Sequence, residues 1–254
     1  MKGRLELIED HIQLFRDIVN EHVNDPKYDT GEEESIEIQR AFGFHSTSDW
    51  GRFCACMDLV GDTVLALQNF CRFQLDGPSR HEDRGETYLR LYGVLNAVYL
   101  QQSAIEQLVS ICLPGRIGDV KQNLKNHRSR EVRNILGAHL VDYKKGEAFI
   151  VTRAFLKGSE VEFMSYTSDR YERVDLIQLI GEYIEHILPI VEELSNHLVN
   201  TYGSENEERG REFDQRIENL CKARQSDGYA RGPNGEYILI QYVDGSQKSR
   251  ESTG

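Results

Sequence analysis

One segment of the sequence combines residue types that can cleave a phosphodiester. Residues 130–139 read REVRNILGAH. Arg133 can grip phosphate because a guanidinium is permanently charged, planar and bidentate. His139 can move a proton near neutral pH, and Asn134 can orient either group through its side-chain amide. Cleavage of RNA by 2′-hydroxyl attack needs such groups: a base for the hydroxyl, a cation for the phosphate and an acid for the leaving oxygen.

The spacing of this motif limits how its groups can meet. At ~100° per residue, Arg133 and His139 lie roughly 120° apart on a straight helix and do not share a face. Either the helix bends or ends near Gly137, or two copies of the motif combine across a dimer.

The motif lies in a basic window of an acidic chain. The net charge is −12 and the pI is near 5.2, which argues against a general nucleic-acid coat protein. Residues 116–145 instead hold eight Lys and Arg against three acids. The window is either a solvated basic face or a local site for an anion or RNA. For the second interpretation, the candidate RNA-binding residues are Lys125, Arg128, Arg130, Lys144 and Lys145.

Other kinds of site are not indicated. The sequence has no Walker-type phosphate loop, no paired-glycine dinucleotide fingerprint, no His-Glu-x-x-His and no nucleophile elbow. We therefore expect no cofactor and no metal. The five cysteines lack zinc spacing, and we expect them to be reduced, small apolar residues.

Hydrophobic periodicity predicts a mainly α fold. Ser129 is a candidate N-cap for a short helix that carries Val132 and Ile135. The apolar residues between 84 and 112 occupy nearly every side of their helix, which predicts a central, buried element. Long helices are predicted at about 5–23, 50–75, 84–112 and 173–202.

Two further segments need interpretation. Extended runs at 149–152 and 161–164 flank Lys157-Gly158-Ser159 and predict a β-hairpin, where Arg153 could add to the basic surface. The apolar stripe of the last long helix is either plain core or a seam for a partner helix. Its members are Leu176, Ile180, Ile184, Ile187, Val191, Leu194 and Leu198.

The Arg133-Asn134 pair, followed by His139 after a long helix that contains Gln101-Gln102, resembles the HEPN domain signature. The resemblance covers roughly residues 50–200. It implies an all-α, HEPN-like helical bundle, which would span 47–203. The hairpin predicted at 147–166 would be a small insertion in this bundle that the resemblance does not explain. Residues 1–46 would add an N-terminal helix and an acidic loop, and residues 204–254 a charged tail with a short strand.

The resemblance also implies a function. Many HEPN proteins are homodimeric, metal-independent endoribonucleases of toxin, phage-defence or RNA-processing systems. Arg133 would then clamp the phosphate, His139 would be the general acid/base and Asn134 would orient them. An antitoxin or other regulatory protein would be a partner. Val141 stands where some HEPN toxins carry a regulatory Tyr, which argues against control through that residue.

Two alternatives stay open. Other HEPN domains are inactive, so the chain could be a non-catalytic dimeric binding module. The motif could also be purely structural, with Arg133 paired to a carboxylate and His139 at a helix C-terminus. No apolar run approaches the ~18 residues that span a bilayer, and the charged start shows no signal-peptide core. We therefore expect a cytoplasmic protein without membrane contact.

Overall fold

The structure is a computed structural model, and it confirms the mainly α class with a small antiparallel sheet. It describes residues 2–23, 42–44, 46–79, 83–138, 143, 146–202, 207–226, 228–231 and 237–240. These residues form seven α-helices: α1 (Lys2–Val23), α2 (Thr47–Phe73), α3 (Arg84–Cys112), α4 (Ile117–Asn126), α5 (Arg128–Arg133), α6 (Leu176–Tyr202) and α7 (Glu207–Gln225). The strands are β1 (Phe149–Val151), β2 (Glu160–Ser165), β3 (Tyr171–Asp175), β4 (Gly228–Arg231) and β5 (Tyr237–Ile240).

The helices share one hydrophobic core. α1 packs against α2, α6 and α7, while α3 packs against α2, α5 and α6. All seven residues of the α6 stripe are buried in this core, so the plain-core interpretation of the stripe is confirmed. α7 was not predicted from the sequence, because its buried residues are few among charged ones. They are Phe213, Ile217, Leu220 and Ala223.

α3 has the predicted bounds. It begins after Asp83, whose carboxylate accepts hydrogen bonds from the amides of Gly85 and Glu86, and it ends before Pro114. Its burial is less complete than predicted, because Leu89 is 72% exposed and Tyr92 is 42% exposed. One face of the helix therefore lies on the surface of this chain.

The small sheet has the order β1-β2-β3 and is antiparallel throughout. The β1–β2 hairpin is confirmed, whereas β3 was not predicted: the sequence pattern predicted that the last helix begins at about Arg173, within this strand. That helix begins later, because the Asp175 carboxylate accepts from the amides of Ile177 and Gln178 and caps it. The inner face of the sheet buries Phe149, Val151, Val161 and Phe163.

An aromatic cluster lies beside the start of α2. Trp50 and Phe53 have ring centroids 6.4 Å apart, and Phe42 lies 5.9 Å from Trp50. Phe44 completes the cluster, 5.4 Å from Phe53. The cluster packs the 42–44 segment against α2. Among the described helices, none is both long enough and apolar enough to cross a membrane.

Candidate functional site

The helix that carries the Arg133 motif is capped by a histidine. Nδ1 of His127 accepts a hydrogen bond from the Ser129 amide at 3.2 Å, and it lies 2.8 Å from Oγ of Ser129. The prediction of Ser129 as the N-cap is therefore wrong: Ser129 is the second residue of α5 and is buried. Because Nδ1 accepts, this cap requires a His127 ring without a proton at Nδ1.

The α-helix stops at Arg133, and residues Asn134–Ala138 continue as one turn of π-helix. The straight-helix angle between Arg133 and His139 therefore no longer applies. His139, Lys144 and Lys145 lie outside the described residues, so their positions relative to Arg133 stay predictions from the sequence.

Arg133 lies on an aromatic ring of α3. Its Cζ is 4.0 Å from the ring centroid of Tyr99, and its Nη1 donates to Oδ1 of Asn134 at 3.1 Å. The side chain is half-buried. Among the residues that the structure describes, no carboxylate lies within ion-pair distance of this guanidinium. Arg133 is thus held by a ring and an amide, which leave its positive charge unneutralised.

Arg130 approaches the same ring but is neutralised. Its Cζ lies 5.2 Å from the Tyr99 centroid, and its Nη1 forms an ion pair of 2.7 Å with Glu106. Both partners are mostly buried, at 21% and 12% side-chain exposure. Tyr99, Glu106, Arg130, Arg133 and Asn134 are called the Tyr99 site below.

Arg128 belongs to a separate ionic network between α5 and β3. It contacts Glu131 and Glu172, and Arg170 contacts the same two carboxylates at 3.0 and 2.5 Å. Burial alone would raise the pKa of Glu131, but hydrogen bonds from Arg170 and Arg128 outweigh it and hold that pKa below its usual value. The network ties the sheet to α5. Lys125, in contrast, is exposed at the end of α4.

A buried polar row lies behind the Tyr99 site. Nε2 of Gln102 donates to Oγ of Ser129 at 2.9 Å, and Ser129 contacts the His127 ring. The His127 ring lies 5.8 Å from Tyr183 and 5.2 Å from His186. Oε1 of Gln102, the Tyr183 hydroxyl and Nε2 of His186 have no hydrogen-bond partner among the described residues. The row therefore offers buried polar atoms beside α5.

Burial sets the protonation of this row. It lowers the pKa of His127, and the nearby His186 lowers it further against the opposing effect of Glu182. Burial also raises the pKa of Tyr183 well above its usual value, helped by Glu106. His127 is accordingly neutral at pH 7, as its capping role requires.

Sequence reasoning missed Tyr99 and Glu106, and it named Gln102 only for the family resemblance and not as a site residue. Their spacing of three and four places them on one face of α3. This helix was predicted to be buried, and polar groups aligned on one face of a buried helix indicate a site. Here that face lies against α5.

The described residues contain no group of three or more His, Cys, Asp or Glu that could hold a metal ion. No protein-family model matches the chain, and no curated protein or solved structure is detectably similar to it.

Proposed function

We propose that this protein is a metal-independent endoribonuclease of HEPN type, acting on single-stranded RNA in a toxin or phage-defence system. The observation that carries the proposal is the state of Arg133. Arg128 and Arg130 are neutralised by carboxylates, whereas Arg133 lies on Tyr99 with only Asn134 as a hydrogen-bond partner among the described residues. A half-buried cation of this kind is suited to bind a phosphate group.

The proposed reaction is an in-line transfer at phosphorus. The ribose 2′-oxygen forms a bond to phosphorus while the bond from phosphorus to the 5′-oxygen breaks. His139 either takes the 2′-hydroxyl proton or supplies a proton to the 5′-oxygen. A second group performs whichever of these two proton transfers His139 does not. The products are a 2′,3′-cyclic phosphate and a 5′-hydroxyl. Arg133 stabilises the charge on the phosphate oxygens, and Asn134 orients Arg133.

A homodimer would let the second group come from another copy of His139. Support comes from the exposed face of α3. Leu89, Tyr92 and Asn96 are exposed and lie in line with Tyr99, at spacings of three, four and three. An interface through this apolar face would bring two Tyr99 sites toward each other.

The test is cleavage of a labelled single-stranded RNA in EDTA. We expect Arg133→Ala and His139→Ala each to lower the rate by about 100-fold or more, the range of a lost charge-stabilising or acid–base group. Arg52→Ala, at an exposed arginine of α2, is the matched control and should cut normally. Products should end in a cyclic phosphate. Unchanged cutting by both motif variants would defeat the proposal.

A second function is a non-catalytic HEPN-like binding module. It is favoured by the carboxylates on Arg128 and Arg130, which leave fewer cations of the basic window available for RNA. Its signature in the same assay would be RNA or partner binding without cleavage by the wild-type chain.

A further inference from the structure

A pocket distinct from the Tyr99 site lies where the end of α2, the start of α3 and the β1–β2 connection meet. Its volume is about 780 Å³, within the ~300–1,000 Å³ usual for small-ligand sites. α2 supplies Arg72, the first turns of α3 supply Arg84 and Tyr88, and the connection supplies Arg153 and Lys157. Tyr88 and Tyr99 are eleven residues apart on α3, or ~16 Å along its axis.

The pocket is cationic although the protein is acidic. Four of its lining residues are Arg or Lys, and one is a carboxylate, Asp76. Oδ1 of Asp76 accepts a hydrogen bond from the Gly158 amide at 3.2 Å, so this carboxylate holds the connection in place. Among the described residues, no ion pair neutralises the four cations. In a chain of net charge −12, such a cluster concentrates positive potential in one cavity.

The walls of the pocket are fixed by hydrogen bonds to backbone carbonyl groups. The Leu75 amide donates to the Gly158 carbonyl at 2.8 Å, and Nε of Arg90 donates to the Gln74 carbonyl. These bonds join the α2–α3 turn to the hairpin and to α3. The cations are therefore brought together by structure that exists without a ligand, which lowers the entropy lost on binding.

We infer that this pocket binds a polyphosphate group, carried either by a nucleoside triphosphate or by an inorganic polyphosphate. Two or three adjacent phosphates match several cations around one cavity, since each guanidinium can bind phosphate through two hydrogen bonds. In the nucleotide case, the ring of Tyr88 at the wall offers a face for the base. The inference does not depend on the proposed nuclease activity.

The experiment is calorimetric titration of the full chain with ATP, inorganic triphosphate, adenosine and a single-stranded RNA. We expect both triphosphates to bind, adenosine not to bind, and affinity to fall as NaCl is raised. Tighter binding of ATP than of inorganic triphosphate would identify the ligand as a nucleotide. Equal affinity for the two would identify it as an inorganic polyphosphate.

Paired variants locate the site. Arg153→Gln with Lys157→Gln should weaken triphosphate binding by about tenfold or more for each charge removed. The control Lys121→Gln with Lys222→Gln removes two exposed lysines from α4 and α7 and should bind as the wild type does. Thermal unfolding without ligand checks that each variant is folded.

Three results would overturn the inference: no binding of either triphosphate at millimolar concentration, equal loss in both paired variants, or binding of RNA alone. RNA cleavage by the Arg153→Gln, Lys157→Gln variant separates this inference from the nuclease proposal. Normal cutting without triphosphate binding would leave the two sites independent.

Discussion

Arg133 is held by two neighbours of different chemistry. The Tyr99 ring attracts the guanidinium through its quadrupole, and Asn134 accepts one of its hydrogen bonds. Neither neighbour carries a charge, so the cation stays available for an anion. Tyr99 is therefore a positioning residue, acting on the proposed substrate through Arg133.

Replacing Tyr99 tests this positioning. Tyr99→Leu should lower RNA affinity by about two- to fivefold, because a partly exposed cation–π contact contributes about 0.5–1 kcal/mol. Tyr99→Phe keeps the ring and should behave as the wild type does. Binding of RNA to a cleavage-inactive His139→Ala background, followed by fluorescence anisotropy, measures the difference. Equal losses for Leu and Phe would show that the ring does not act through Arg133.

The sequence predicted which residues of the site could do chemistry better than it predicted which side chains they contact. Arg133 and Asn134 could be singled out because their chemistry and adjacency are local. The ring beneath Arg133 could not, because the contact between α3 and α5 depends on how two helices pack. Glu172 of β3 and Glu106 of α3, which pair with Arg128 and Arg130, are equally non-local. Glu131, the other partner of Arg128, is only three residues away on α5.

Among the elements, α3 supplies a surface face as well as core. Leu89 and Tyr92 are large apolar residues exposed on one side of it, which is typical of a protein contact. The proposed homodimer uses this face.

Leu89→Asp should therefore dissociate the dimer, because a carboxylate in an apolar interface loses its hydration without gaining a partner. Light scattering after size exclusion would report the change in mass. Leu65→Asp, at an exposed leucine of α2, is the matched control and should keep the wild-type mass. A wild-type chain that is monomeric at all concentrations would contradict the dimer.

The α2–α3 turn depends on one glycine. Gly77 has φ +71°, and a Cβ there would lie 2.0 Å from Oε1 of Glu86. Gly77→Ala should lower the free energy of unfolding by about 1 kcal/mol or more, since L-residues are strained at positive φ.

The control for this turn is Gly51→Ala in α2. No described atom lies within 4 Å of its added Cβ, and alanine favours a helix over glycine by about 1 kcal/mol. Gly51→Ala should therefore raise the free energy of unfolding. Urea unfolding measures the free energy of unfolding of both variants. Stabilisation by Gly77→Ala would mean that the turn adopts another conformation.

The elements were predictable where their signal was periodic. The α3 bounds and the β1–β2 hairpin followed from apolar spacing and turn residues. β3 was missed because Tyr171–Asp175 alternates exposed and half-buried positions without a strong apolar pattern. α7 was missed because its surface charge obscures its narrow apolar face.

Across the whole molecule, α1 connects distant parts of the chain. His11 of α1 is fully buried, with Nδ1 2.7 Å from Oγ of Ser195 on α6. Burial lowers the pKa of His11 to about 4. The nearby charge of Glu192 opposes this shift, and that of Arg224 adds to it. The ring is neutral in the folded protein at pH 7, and protonating it while it is buried is unfavourable in free energy.

Acid should therefore destabilise the fold. The unfolded chain binds a proton at His11 near pH 6.5 and the folded chain only near 4. Stability is lost as pH falls from 6.5 to 4, by about 3 kcal/mol from this group. His11→Gln should remove this component, giving a shallower dependence of urea unfolding on pH. Parallel curves for the two proteins would contradict it.

The overall charge distribution was partly visible in the sequence. The basic window was found by counting, but its arginines are largely neutralised in the fold. The cationic pocket draws on Arg72, Arg84, Arg153 and Lys157, which are separated in sequence. No window of the chain shows them as one group, because only the packing of the hairpin on the α2–α3 turn assembles them.

Trp50 is the single tryptophan of the chain, in the aromatic cluster with Phe42, Phe44 and Phe53. Its indole emission therefore comes from one known place, at the opposite end of α2 from Arg72. The two residues are ~33 Å apart along the helix. Any change in that emission when an anion enters the pocket would have to be transmitted over this distance, through α2 or through α3 packed against it. Unchanged emission on binding would show that the effect of the anion stays local.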